Sequence, residues 1–109
     1  MAAVQSEERA ARNEVLFREA NEKLGEKRQE LDIEGLTPFI CECGDPTCVE
    51  LIRLRLESYE HVRSNAGWFL VAHDHETQSA RLVEEHEDYV IVEKVGEAGR
   101  IAAEEDPRS

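Results

Sequence analysis

Three cysteines lie within eight residues, at Cys41, Cys43 and Cys48, and the chain has no others. Because the number is odd, they cannot form a closed set of internal disulfides, and clustered thiols in a reducing compartment are typical metal ligands. Cys41 and Cys43 are two apart, so they face the same side of an extended segment. Residues 44–47 have the composition of a turn that can bring Cys48 back toward them.

A structural zinc site needs four tetrahedral ligands, so a histidine is expected to supply the fourth. The chain has four candidates, His61, His73, His75 and His86. His75 is preferred because it follows the apolar run 68–72, which is typical of a strand; His73 is the second choice and His86 the third. The prediction is therefore one zinc held by Cys41, Cys43, Cys48 and His75. Free thiols, a thiol redox switch and an iron–sulfur centre are the alternatives.

The composition favours one small acidic domain. The chain has 109 residues, with 25 acidic and 13 basic side chains, a formal net charge of −12 and 40% apolar residues. Its longest apolar runs are far shorter than the roughly 20 residues of a membrane span, and its first residues do not resemble a secretory signal. We therefore expect a cytoplasmic protein that is not inserted in a membrane. Direct nucleic-acid binding is disfavoured because the negative charge repels phosphates.

The first part of the chain, residues 1–31, is predicted to be a helix with Ser6 as its N-cap. Pairs of opposite charge four residues apart support it. Phe17 and Leu24 are seven residues apart and share one side of this helix. They are predicted to contact either the domain's own sheet or a partner protein, which includes a second copy of the chain. The apolar stripe on which this depends comprises Ala10, Phe17, Ala20, Leu24 and Leu31.

The rest of the chain predicts a small antiparallel sheet. After a linker at 32–38, a zinc-binding module at 39–94 contains expected strands at 39–43, 50–56, 68–72, 80–85 and 89–93. A short helix is expected at 57–64, and the last two strands are expected to form a hairpin. Residues 95–109 are predicted to form a short helix followed by a frayed tail from position 106. The expected fold class is α+β: a long N-terminal helix and a small antiparallel sheet with a short helix, pinned by one zinc.

Several short motifs resemble a family of small uncharacterised bacterial proteins. They are the RNExxFRxxNE pattern at 12–22, the CECxxxxC pattern at 41–48 and the HE pair at 75–76. The resemblance covers about residues 10 to 94 and implies a zinc site, but no activity. The family has glycine where this chain has Asp74, which keeps His73 as an alternative ligand.

No catalytic motif accompanies the cysteines. The chain lacks a glycine-rich phosphate loop and a nucleophile elbow, and the order of its cysteines and histidines is not that of a zinc deaminase. A non-catalytic interaction or regulatory module that binds zinc is therefore the favoured function. A redox- or zinc-responsive thiol switch is the first alternative, and a metal-dependent enzyme is the second.

Overall fold

The N-terminal helix α1 covers Glu7–Glu30 in the computed structural model, which describes residues 7–75 and 80–108. Two of the expected charge pairs are present, Glu8 with Arg12 at 3.3 Å and Glu19 with Lys23 at 3.6 Å. The proposed N-cap, Ser6, lies outside the described residues. Within the described ranges, no helix combines the length and the apolar character that crossing a bilayer requires.

The buried face of α1 is mostly polar, so the predicted apolar stripe is wrong. Ala20 and Leu31 are exposed, and Phe17 is only half-buried. Leu24 is partly buried and packs against the domain's own core. The side chains that α1 buries are Ala11, Glu14, Val15, Arg18, Asn21 and Glu22.

Arg18 shows how a charged side chain is accommodated between α1 and the rest of the domain. Its guanidinium donates hydrogen bonds to the carbonyl oxygens of Ala66, at 2.7 Å, and Ala102, at 2.8 Å. The same group lies over the ring of Phe69, 4.8 Å from the ring centroid. Carbonyl dipoles and an aromatic face together replace part of the water that burial removes, while the buried Nε has no hydrogen-bond partner among the described residues.

The strands form two antiparallel sheets. In the first, β1 (Thr37–Ile40) pairs with β2 (Leu51–Leu54); in the second, the order is β3 (Trp68–Val71), β5 (Val90–Lys94), β4 (Ala80–Glu85). The predicted β4–β5 hairpin is thus confirmed. Helix α2 (Leu56–Val62) lies between the two sheets in the sequence, and α3 (Gly96–Glu104) follows β5. The α+β fold class is confirmed, although β1 begins inside the predicted linker and ends before the first cysteine.

Both sheets and α2 contribute to one hydrophobic core, in which Phe39 of β1 stacks on Tyr59 of α2 with ring centroids 4.3 Å apart. A second, smaller cluster joins α1 to α3 through Ala11, Val15, Ala98 and Ile101. Helix α1 is therefore held to the rest of the domain by few apolar and many polar contacts.

The residues after α3 make ion pairs with the rest of the domain, contrary to the expected frayed tail. The guanidinium of Arg108 is clamped between two carboxylates, with its shortest contacts at 2.7 Å to Glu22 and 2.8 Å to Glu60. Asp106 is buried and pairs with Arg63. These ion pairs fasten the end of the described chain to α1 and α2.

Candidate metal centre

The first two cysteines lie where the two sheets meet. Beyond the end of β1, the N–H of Cys41 donates to the carbonyl of Glu50, at 3.2 Å, which extends the pairing with the β2 side. The N–H of the next residue, Glu42, donates instead to the carbonyl of Leu70 in β3, at 2.7 Å. The segment 41–43 therefore crosses from one sheet to the other, and both sheets fix its backbone.

The turn that follows is shaped by Gly44 and Asp45. Gly44 has a φ of 81°, which glycine adopts without strain, and it is packed closely beneath α1. The Asp45 carboxylate accepts hydrogen bonds from the N–H and the hydroxyl of Thr47, at 2.9 and 2.8 Å. The N–H of Cys48 donates to the Asp45 carbonyl, at 3.0 Å, which closes the turn and returns the third thiol to the first two.

His75 is placed by a second turn, just after β3. Its N–H donates to the carbonyl of Ala72, at 3.1 Å, and Asp74 within the turn has a φ of 67°. This left-handed conformation suits glycine, and aspartate tolerates it better than most other residues. The His75 ring then directs Nδ1 at Cys41 Sγ and Cys48 Sγ, at 3.5 Å from each. Glu76 lies outside the described residues.

The other three histidines are engaged elsewhere. His73 Nε2 is 2.7 Å from the carbonyl oxygen of His86. The rings of His86 and His61 both contact the carboxylate of Glu84, at 2.8 and 2.6 Å. The structure therefore brings His75, and neither His73 nor His86, to the three thiols.

The four donor atoms lie close enough together to hold one metal ion. The three Sγ atoms and the imidazole nitrogen all lie within 4.8 Å of one another. In a tetrahedron with Zn–S of about 2.3 Å and Zn–N of about 2.05 Å, the sulfur–nitrogen edges are about 3.6 Å and the sulfur–sulfur edges about 3.8 Å. The two sulfur–nitrogen distances of 3.5 Å match this edge. The residues are thus close enough to hold a metal ion, and the donor set is compatible with zinc. In the described part of the chain, no other group of three or more acidic, cysteine or histidine side chains converges in this way.

Backbone N–H groups point at all three sulfurs. The N–H of Ala72 donates to Cys41 Sγ at 3.2 Å, and the N–H groups of Asp45 and Glu50 donate to Cys43 and Cys48. Such donors stabilise thiolates, because they place partial positive charge beside the sulfur.

The three thiols change one another's pKa values because their sulfur atoms lie close together. A hydrogen bond from Cys41 lowers the pKa of Cys43, whereas the same bond and burial raise the pKa of Cys41. Burial also raises the pKa of Cys48. The thiolate therefore forms most readily at Cys43. A divalent cation would supply the charge needed to deprotonate the other two thiols.

Sequence reasoning missed Glu42, which lies between the first two cysteines and is fully buried. Its carboxylate accepts hydrogen bonds from the N–H of Leu70 at 2.9 Å, the amide of Asn21 at 2.9 Å and the hydroxyl of Tyr59 at 2.7 Å. Burial raises its pKa, and these three donors oppose the rise. An acidic residue inside a segment otherwise expected to be a buried strand was the available signal.

A functional assignment for this chain rests on the geometry of the cluster, since no similar protein suggests a function. Comparisons of the chain with protein-family models, with curated proteins and with solved structures find no match.

Proposed function

We propose that Cys41, Cys43, Cys48 and His75 bind one structural Zn²⁺ in a small non-catalytic interaction or regulatory protein. The convergence of one imidazole nitrogen and three sulfurs within 4.8 Å carries this proposal. Four protein donors fill a tetrahedral coordination sphere, as in structural zinc sites, whereas catalytic sites keep a position open. Three free thiols are also suited to a reducing compartment such as the cytoplasm.

The zinc would stabilise the junction between the sheets. Cys41 and Cys43 follow β1, Cys48 precedes β2 and His75 follows β3, so one ion would join three strand ends. Metal binding of this kind contributes directly to folding, because the site does not exist in the unfolded chain.

Native mass spectrometry tests the metal site. We expect about one zinc per chain in the purified protein, and loss of that zinc in Cys48→Ser and His75→Ala. His73→Ala is the matched control, because it removes a neighbouring imidazole that does not point at the sulfurs. A zinc-free wild-type protein whose melting temperature does not change on chelation would contradict the proposal, as would zinc lost from His73→Ala and kept in His75→Ala.

We place the contact with a protein partner, or with a second copy of the chain, on the outer face of α1. Leu16 is 59% exposed there and Phe17 is half-buried, so both have apolar surface available to a neighbour. Light scattering after size exclusion tests self-association through this face. A wild-type dimer that becomes a folded monomer in Phe17→Ala supports it, whereas a wild-type monomer excludes it.

A redox-responsive site is a second candidate, favoured by the partial exposure of Cys48 beside the two buried cysteines. One H₂O₂ would take two electrons from the Cys43 and Cys48 thiolates, whose sulfurs would join in a disulfide. With two protons from the solvent the peroxide would become two water molecules, and the zinc would be released. Zinc release at low peroxide stoichiometry would support this function. If zinc stays bound while an exposed control thiol is oxidised, the site is purely structural.

A further inference from the structure

The two faces of the segment 41–43 have different roles. In an extended segment successive side chains point to opposite sides, so Cys41 and Cys43 share one face and Glu42 occupies the other. The cysteine side chains reach the donor cluster with His75, while the Glu42 carboxylate enters the core. Whatever holds Glu42 therefore also fixes the backbone that presents the first two thiols.

Glu42 is held from three separate elements. Leu70 of β3 contacts it twice: its carbonyl accepts from the Glu42 N–H, and its own N–H donates to the carboxylate. Tyr59 of α2 donates its hydroxyl, and Asn21 of α1 donates its amide, to the second carboxylate oxygen. All of these donors belong to secondary structure, so the carboxylate is clamped by rigid elements.

Asn21 extends this control to the residue before Cys41. Its side-chain amide accepts the N–H of Ile40 and donates to the carbonyl of the same residue, both at 2.8 Å. One asparagine thus pairs with the last residue of β1 as a neighbouring strand would, and also contacts Glu42. Helix α1 therefore determines the path of the chain into the cluster.

We propose that Glu42 is a positioning residue for the metal centre, which sets the separation and direction of the Cys41 and Cys43 thiols by anchoring the backbone between them to α1, α2 and β3. The inference rests on the metal site proposed above. A buried carboxylate with three donors is costly to remove, because its donors are left without an acceptor. Groups that orient metal ligands in this way typically change metal affinity 10- to 100-fold when they are replaced.

The test is a metal titration of Glu42→Gln. Glutamine keeps one oxygen for the Leu70 N–H, but its NH₂ group faces the amide of Asn21 and cannot accept from it. The matched control is Glu22→Gln, which alters another buried carboxylate, on α1, whose partners are Arg63 and Arg108, away from the cysteines. Co²⁺ serves as the probe, since its visible absorption reports tetrahedral thiolate coordination, and Zn²⁺ competition gives the affinity.

We expect Glu42→Gln to weaken Zn²⁺ binding at least tenfold and to alter the Co²⁺ absorption spectrum. Glu22→Gln should lower the melting temperature while its affinity stays within threefold of the wild type and its Co²⁺ spectrum is unchanged. Unchanged affinity in Glu42→Gln, or an equal loss in both variants, overturns the positioning role and leaves the metal site intact. A wild-type protein that binds neither ion refutes the proposed function itself.

If Glu42→Gln does not fold, as judged by circular dichroism, Tyr59→Phe takes its place. This change removes one donor to the carboxylate and keeps the ring that stacks on Phe39. A folded Tyr59→Phe protein should bind Zn²⁺ more weakly than wild type by at least threefold. Wild-type affinity in that variant would overturn the proposal in the same way.

Discussion

Asn21→Ala tests whether polar contacts dock helix α1. The Asn21 side chain is fully buried and makes three hydrogen bonds, two with the backbone of Ile40 and one with Glu42, all between 2.8 and 2.9 Å. Losing the two neutral bonds costs about 1 kcal/mol each, and losing the bond to the carboxylate costs about 2 kcal/mol. We expect a total loss of about 4 kcal/mol, a large share of the roughly 5 to 15 kcal/mol by which a domain is stable.

The assay is urea denaturation of the metal-loaded protein, followed by far-ultraviolet circular dichroism. Asn13→Ala is the matched control, because Asn13 lies on the same helix and makes one weaker hydrogen bond, at 3.3 Å to the Gly44 carbonyl. That variant should lose less than about 1 kcal/mol. If Asn21→Ala is no less stable than Asn13→Ala, the polar face does not hold the helix and the reasoning is refuted.

Three further predictions concern other parts of the domain. Gly44→Ala should lower the free energy of unfolding by about 3 kcal/mol, because a Cβ would lie 2.8 Å from the Ala10 carbonyl oxygen. Gly35→Ala is the control: its φ is also positive but the space around it is open, so the loss should be only about 1 kcal/mol. Both are measured by thermal or urea unfolding. Phe17→Ala should cost about 1 kcal/mol in the same assays, since the ring is half-buried, and a loss near 3 kcal/mol would restore the apolar-stripe interpretation. Arg108→Ala should raise the pKa of Glu60, measured by NMR titration, because the hydrogen bond from Arg108 lowers it. That lowered pKa stabilises the fold above the pKa of the unfolded chain, and the contribution is lost as the pH falls through the folded value; an unchanged pKa in the variant would contradict the clamp.

The sequence predicted that α1 is a helix, but it did not predict which face of the helix is buried. Charge pairs such as Glu8 with Arg12 depend only on local spacing, so they are visible in the sequence. The buried face could not be found by hydrophobic periodicity, because residues such as Arg18 and Asn21 are classed as solvent-facing. Their partners are main-chain carbonyl and N–H groups of distant segments, at Ala66, Ala102 and Ile40, which no pattern in the helix encodes.

Most of the candidate site was predictable, because the types and spacing of its ligands are visible in the sequence itself. Three cysteines in eight residues are rare enough to indicate coordination, and the apolar run before His75 placed that histidine at a strand end. What the sequence could not supply was the support for these ligands. Glu42 was overlooked because an acidic side chain between two cysteines is ordinarily read as exposed, and its burial depends on donors from α1, α2 and β3.

The polar face of α1 has a consequence for changes in chain length. Apolar helix faces can slide or rotate against a core at modest cost, because hydrophobic contact has no direction. Hydrogen bonds do have a direction, and those of Arg18 and Asn21 point at fixed carbonyl and N–H groups. Inserting one residue between them would turn one side chain by about 100° relative to the other, so both could not be satisfied together. The number of residues between Arg18 and Asn21 is therefore fixed by hydrogen-bond direction, even where the residue types between them are not.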